Sequence, residues 1–203
     1  MNRTKKRHYK PLKYWSPITE KKCYQLESGD EAFKLVFSME EKRSFSQSIV
    51  DRGNMLVTGG TNGGYIGTNS ETGEFINNKV GNNTAPRYSI QLPDTISYHA
   101  FVKVNQTTSL LIGGNHGLFI LPWLSNRSRK TYYFNSYTNK WASGPMLKYG
   151  RSIHAAGILV DHATNKQHIA AVGGWKYSWE HFGMTNSVEL LLHGDNGWSE
   201  GVF

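Results

Sequence analysis

Cysteine is almost absent: Cys23 is the only one in 203 residues. One thiol can neither close an intrachain disulfide nor build a thiolate zinc site or a redox pair. Cys23 is either a small buried apolar side chain or half of a bridge to a missing partner, and the first reading is preferred. Long apolar runs are also missing. The longest, Leu118 to Leu124, contains Pro122 and falls far short of the roughly 20 residues a membrane-crossing helix needs, so no membrane partner is expected. No apolar segment of about 7–15 residues follows the positive N-terminus, so no signal peptide is visible and a cytoplasmic location is the default. Stretches rich in Ala, Leu, Glu and Lys are lacking too. Aromatics at 13% and 21 glycines, with frequent Tyr, Thr, Val and Ile, favour an all-β architecture instead.

Acidic residues are scarce, 15 against 23 Lys and Arg, and the imbalance is local. Residues 1–22 carry eight of the cations against Glu20 alone, a net +7 out of the total +8. A nucleic-acid-binding domain would carry its cations as a folded stripe, so nucleic acid is not expected beyond this arm, which reads as a solvated terminus.

What is present is a repeat. Three segments align: Arg43 to Val50 running on to Asn54–Gly60, Ser97 to Val104 running on to Ser109–Gly114, and Arg151 to Ile158 running on to His168–Gly174. Each reads as two short apolar strands around a polar turn, and each ends on a glycine pair: Gly59-Gly60, Gly113-Gly114 and Gly173-Gly174. Downstream of each pair a second hairpin closes on an aromatic, spanning Thr68 to Phe75, Phe134 to Trp141 and Leu191 to Trp198. Two hairpins per period make a four-stranded antiparallel sheet whose two apolar faces both need a neighbour.

The glycine pairs, the Trp residues and the Met-led Arg-Ser lead-ins at Met39 to Gln47 and Met146 to Ala155 together resemble the kelch repeat. The likeness covers about residues 23–203. It implies an all-β fold: a partial, open kelch β-propeller of about three and a half four-stranded antiparallel blades. The expected organisation is a basic arm at 1–22, a half blade at 23–38, and blades at 43–80, 97–144 and 151–203. Gly59, Gly60, Gly113, Gly114, Gly173, Gly174, Trp141, Trp198, Arg43 and Arg151 are then residues of the fold. Two departures stand out, Ser97-Tyr98 where the other repeats have Arg-Ser, and Phe75 where a Trp is expected. An unclosed arc implies either a fragment of a longer, secreted kelch protein with no independent function, or self-association of copies to complete the ring.

Kelch rings resemble the propeller of galactose-oxidase-type copper enzymes, but the eight histidines do not cluster in sequence. His99 and His154 recur at equivalent positions and so read as fold residues. No nucleophile triad, phosphate loop or paired carboxylate motif is found. No catalytic residue, metal or cofactor is expected, and the chain is read as a non-enzyme. Propellers present loops on a rigid frame. The segments after the second and third glycine pairs supply the candidate partner-binding residues: Asn115, His116, Phe119 and Trp123, and Trp175, Tyr177, Trp179, His181 and Phe182. The expected role is a scaffold for a protein or glycan partner. A further use of kelch rings, as substrate receptor in a ubiquitin-ligase adaptor, needs a helical adaptor domain for which this chain has no room. Four glycosylation sequons, at Asn2, Asn82, Asn105 and Asn126, are about what chance supplies and leave the compartment undecided.

Overall fold

The computed structural model describes residues 22–25, 32, 34–51, 53–63, 67–77, 87–117, 126–178, 181–192 and 195–201. Among these residues all regular structure is strand, and every strand pair is antiparallel. The chain opens with a two-stranded pair, β1 (Lys22–Gln25) and β2 (Lys34–Ser38). A four-stranded sheet follows, with β3 (Gln47–Asp51), β4 (Asn54–Thr58), β5 (Thr72–Asn77) and β6 (Arg87–Gln91) side by side in chain order. The second sheet begins with β7 (Ala100–Lys103) and β8 (Thr108–Ile112). A short ribbon, β9 (Asn115–His116) with β10 (Asn126–Arg127), intervenes before β11 (Thr131–Asn135) and β12 (Lys140–Ser143) complete it. After β13 (Gly150–Ser152), the third sheet is built from β14 (Ala155–Asp161), β15 (Lys166–Val172), β18 (Val188–Leu191) and β19 (Ser199–Gly201). Here the inserted ribbon is β16 (Trp175–Ser178) with β17 (His181–Met184), joined by β13 into three strands.

Local chemistry explains the hairpins. The β3–β4 turn uses Gly53 at φ 75°, and Asn105 Oδ1 accepts from the Thr107 and Thr108 amides to close the β7–β8 turn. Asp161 Oδ1 does the same for Ala163 between β14 and β15. Side chains of this kind bond their own backbone and so favour turns. The second strand of each sheet carries an unbroken buried run: Leu56 to Thr58, Ser109 to Ile112 and Ile169 to Ala171, the last followed by exposed Val172. A strand covered on both faces loses the polar alternation of a half-exposed one.

The sheets pack face to face. One core joins the first two sheets through Leu56, Phe75 and Ile90 against Phe101, Tyr132 and Phe134, with the Phe75 and Phe134 rings 5.9 Å apart. A second joins the next two through Leu110 and Ile112 against Ile169, Ala171, Leu191 and Trp198. Trp141 packs against the first core, 4.7 Å from the Phe134 ring, and Trp198 is buried in the second, where its Nε1 donates to the Pro145 carbonyl at 3.0 Å. First strands also adjoin in series, β3 against β7 and β7 against β14.

The first sheet departs from the expected layout. Its fourth strand is Arg87–Gln91, beyond residue 80, and Phe75 belongs to the third strand rather than replacing the Trp of the fourth. Tyr88 on β6 stacks on Phe75 at 4.7 Å instead. The polar run Asn69-Ser-Glu-Thr-Gly73 looks like a turn by composition. Pairing of Gly73 to Asn77 along the buried β4 draws the later part of it into a strand.

Candidate functional site

The seams between repeats are built by the glycine pairs. Gly59 and Gly113 sit at φ 57° and 58°, and a Cβ there would lie 2.3 Å from the Ile96 carbonyl oxygen and 2.6 Å from that of Arg151. The second glycines face their own repeat: a Cβ on Gly60, Gly114 or Gly174 would lie 2.6, 2.8 or 2.5 Å from the carbonyl of Ser44, Ser97 or Ser152. Two backbones therefore pass on either side of the first two pairs, so close that only glycine fits, whereas in the third pair this holds for Gly174 alone. The amides of Gly60 and Gly114 complete the seam by donating across it to Ile96 and Arg151.

In the first and third repeats a buried polar lock lies beside the glycine pair. Arg43 donates from Nε to Glu74 Oε1 at 3.1 Å and from Nη1 to the carbonyls of Gly59 and Thr72. Arg151 repeats this arrangement with Glu189, Gly173 and Ser187. Both glutamates also accept backbone amides of the preceding segment, Glu40 and Glu41 in one case, Lys148 and Tyr149 in the other. The middle repeat lacks the pair. Ser97 pairs with Asn115 as Ser44 pairs with Thr61 and Ser152 with Trp175, which makes Ile96, not Ser97, the counterpart of Arg43 and Arg151. Opposite Ile96 the glutamate position on the third strand is held by Tyr132. Cation and anion have been replaced together by uncharged side chains, which avoids leaving one buried charge alone.

Tyr132 reaches outward to a surface cluster. Its hydroxyl donates to Asp94 Oδ2 at 3.3 Å, Lys130 Nζ lies 2.8 Å from the same oxygen, and His116 Nδ1 is 3.5 Å from Asp94 Oδ1 and 2.7 Å from the Thr95 carbonyl. Burial opposes ionisation of Asp94, but the hydrogen bond from Lys130, the charges of His116 and Lys130 and the Tyr132 hydroxyl outweigh it and hold the carboxyl below its ordinary value. The Lys130 ammonium is correspondingly raised by its hydrogen bond to Asp94. Nothing in this cluster's composition announced it, because its members are spread over 39 positions.

The residues nominated as loop contacts fall into different environments. Asn115 is fully buried: its backbone exchanges hydrogen bonds with Ser97, its carbonyl also accepts Asn69 Nδ2, and its own Nδ2 donates to the Gly117 carbonyl at 3.2 Å. It is a bracket between strands and not a contact surface, because the segment after the glycine pair starts as a strand. His116 is partly exposed in the Asp94 cluster. Trp175 is half-buried, with the Arg127 guanidinium carbon 5.4 Å from its ring centroid. Tyr177, His181 and Phe182 are not in a loop; they lie on β16 and β17, where Tyr177 is opposite Phe182 and Ser178 opposite His181. Phe119, Trp123 and Trp179 lie outside the described residues. Next to Trp175, Lys176 Nζ stands 3.3 Å from the centre of the Tyr149 ring, and Lys148 Nζ 5.3 Å from it.

At the same ends of the strands, three residues share a strained backbone. Phe45, Tyr98 and Ile153 each follow the serine of their repeat and sit at φ 57°, 54° and 54°. They form a ladder: the Tyr98 amide donates to the Phe45 carbonyl at 3.1 Å and the Ile153 amide to the Tyr98 carbonyl at 2.9 Å. His99 and His154 follow immediately. Burial pushes both imidazoles down to about 3, with the Arg151 charge and His99 adding to the effect at His154. His99 Nε2 is 2.9 Å from Thr58 Oγ1. The position equivalent to Thr58 beside His154 is Ile112, which has no hydroxyl.

No family model and no curated protein matches the chain. Its fold is found among solved structures: the structure described as "Structure of YjhT" superposes with a TM-score of 0.66 over 90% of this chain, at 12% sequence identity. The chain spans about half the length of that protein, 52%. At this identity the likeness is one of fold alone.

Proposed function

We propose that the chain is a kelch-type β-propeller segment, three four-stranded blades and a half blade in an open arc, that acts as a non-enzymatic scaffold for a protein or glycan partner. The observation that carries the reading is the repeated seam: glycine pairs and neighbouring first strands recur from sheet to sheet about a common side, with a buried Arg–Glu lock in the first and third repeats. The binding face is the end where the ribbons β9–β10 and β16–β17 leave the sheets. Trp175, Tyr149 and Lys176 supply an aromatic and cationic surface there, and His116 lies on the neighbouring ribbon. Aromatic anchors beside cations are the residue types that dominate binding energy at interfaces.

Photo-crosslinking tests this. A photoreactive residue at position 176 captures one partner selectively, whereas the same residue at Asn165, in the β14–β15 turn at the opposite strand ends, captures none; equal capture from both ends would sink the reading. Trp175→Ala is expected to abolish capture with the melting temperature unchanged.

A second reading, self-association that completes the ring, is favoured by the third sheet. Leu159 and Val172 are 43% and 42% exposed, on the face opposite Ala156 and Ile158, which pack into the second core. A Cβ on Gly173 would meet only the Thr185 carbonyl, at 3.4 Å, where Gly59 and Gly113 meet the next repeat. Light scattering at micromolar concentration decides it: a folded monomer excludes the second copy.

A further inference from the structure

We propose that Asn105 is an N-glycosylation acceptor and that Tyr137, on the adjoining turn, is the seat of its first sugar. The sequons are no more numerous than chance supplies, so their number selects nothing. What selects Asn105 is the place the fold gives it. The inference is independent of the loop-face reading, because both residues lie in turns at the strand ends opposite the ribbons.

Asn105, Gln106 and Thr107 are all exposed in the β7–β8 turn, as a bulky, solvated modification requires. Asn105 Oδ1 closes that turn by accepting the amides of Thr107 at 3.0 Å and Thr108 at 2.8 Å. The hydroxyl that a sequon must carry, Thr107 Oγ1, is already at the carboxamide, 3.4 Å from the same oxygen. Among the described residues, Nδ2 of Asn105 takes no hydrogen bond. The side chain therefore divides its work: the oxygen serves the fold and the nitrogen is left to solvent. Asn126 offers a contrast, since its sequon hydroxyl, on Ser128, is buried and accepts the Lys130 amide at 3.0 Å. Asn2 and Asn82 lie outside the described residues.

The step is a glycosyl transfer from an oligosaccharide carried on a polyprenyl diphosphate. Nδ2 attacks the anomeric carbon and the bond from that carbon to the diphosphate oxygen breaks. The lipid diphosphate leaves with the electron pair, and Nδ2 gives up one proton. The carboxamide oxygen takes no part, so the turn keeps its hydrogen bonds after modification. The donor lipid lies at a secretory membrane with its sugar in the lumen, so the proposal carries passage through that compartment with it.

The seat is the second, independent observation. Tyr137 is 78% exposed, the most exposed large apolar side chain among the described residues. Its backbone is nevertheless fixed: Asn135 Oδ1 accepts the amides of Tyr137 at 2.9 Å and Thr138 at 3.0 Å, and Asn139 closes the turn at φ 55°. The two turns are joined directly. The amide and the hydroxyl of Ser136 both donate to the Thr107 carbonyl, at 2.8 and 3.2 Å, so the residue before Tyr137 is bonded to the last residue of the Asn105 sequon. The C–H face of a pyranose can lie on the negative face of an aromatic ring. Folding alone brings the two positions together, and a sugar seated on Tyr137 therefore stabilises the folded chain over the unfolded one.

The test begins with the chain from its native cells, treated with an N-glycan amidase in water enriched in heavy oxygen and mapped by mass spectrometry. The expected result is conversion of Asn105 to an aspartate carrying the heavy isotope. Recovery of Asn105 unchanged overturns the proposal, and so does aspartate without the isotope, which marks ordinary deamidation. A second arm measures the seat on the whole chain, secreted by cultured cells behind an added leader, with Asn2→Gln, Asn82→Gln and Asn126→Gln leaving Asn105 as sole acceptor. Enzymatic removal of the glycan should lower the melting temperature by about 2 °C or more, and by less than half as much in Tyr137→Ala. Without the glycan, Tyr137→Ala should melt as its parent does, because an exposed turn side chain contributes little to the fold. Equal losses in parent and variant overturn the seat, and a secreted chain bare at Asn105 overturns the acceptor.

Discussion

The guanidinium of Arg151 donates to Glu189 at 2.7 Å with both side chains fully buried, while the equivalent pair of the middle repeat is Ile96 and Tyr132. The chain thus contains its own control for the energetics of the lock. Glu189→Ala leaves a buried guanidinium and two backbone amides without their acceptor and is expected to cost about 3–5 kcal/mol. The double replacement Arg151→Ile with Glu189→Tyr, which copies the middle repeat, should cost distinctly less than the single one. Urea unfolding midpoints of the three proteins measure this, and a double variant as unstable as Glu189→Ala would refute the argument.

The glycine pairs differ in what they face, and substitution should reveal it. Gly173→Ala incurs mainly the backbone penalty of a left-handed residue, roughly 1 kcal/mol, because its Cβ meets nothing closer than 3.4 Å. Gly113→Ala adds a Cβ 2.6 Å from the Arg151 carbonyl, in rigid backbone. Calorimetry should find Gly113→Ala at least twice as destabilising; equal costs would mean that the seam relaxes freely.

His99 and His154 make the fold acid-sensitive. Their folded values lie near 3 and the unfolded chain titrates near 6.5, so below about pH 6.5 the unfolded state binds more protons than the native state. Stability is complete above that pH and falls as pH drops toward 3, by up to about 1.4 kcal/mol per pH unit for each histidine. Between pH 6.5 and 5 carboxylates contribute little. Unfolding midpoints across that window should fall steeply in the wild type and about half as steeply in His154→Leu, and a flat profile would contradict the burial of both rings.

Thr58 Oγ1 is the hydrogen-bond partner of His99 Nε2. Thr58→Val keeps the shape, removes that partner and should destabilise by about 1–3 kcal/mol. Val57, buried on the opposite face of the same strand, offers a comparison: Val57→Thr puts a hydroxyl into an apolar cluster with no histidine near. A loss confined to Val57→Thr would show that His99 draws nothing from Thr58.

Much of the sheet architecture was legible because its signals are short-range. Asn105 to Thr108 and Asp161 to Gln167 turn where a polar side chain bonds nearby amides, Asp51 to Asn54 turns at Gly53, and the apolar runs on either side become strands. The glycine pairs marked the ends of the second strands for the same local reason. The fourth strand of the first sheet was misplaced because spacing alone assigned Phe75 to it. Nine residues separate β5 from β6, where four separate β11 from β12, so a fixed aromatic interval fails there.

The sequence by itself determined that this chain is all-β, that its strands come in repeating groups of four, and where most of the turns lie, because period, turn chemistry and glycine are properties of neighbours along the chain. Tertiary structure alone decided which glutamate answers each arginine, that Asn115 is a buried bracket, and that His99 has Thr58 as a partner while the ring nitrogens of His154 have none among the described residues. Those relations join residues tens of positions apart, and which residue supplies a hydroxyl, a carboxylate or nothing at all depends on how one sheet is laid against the next.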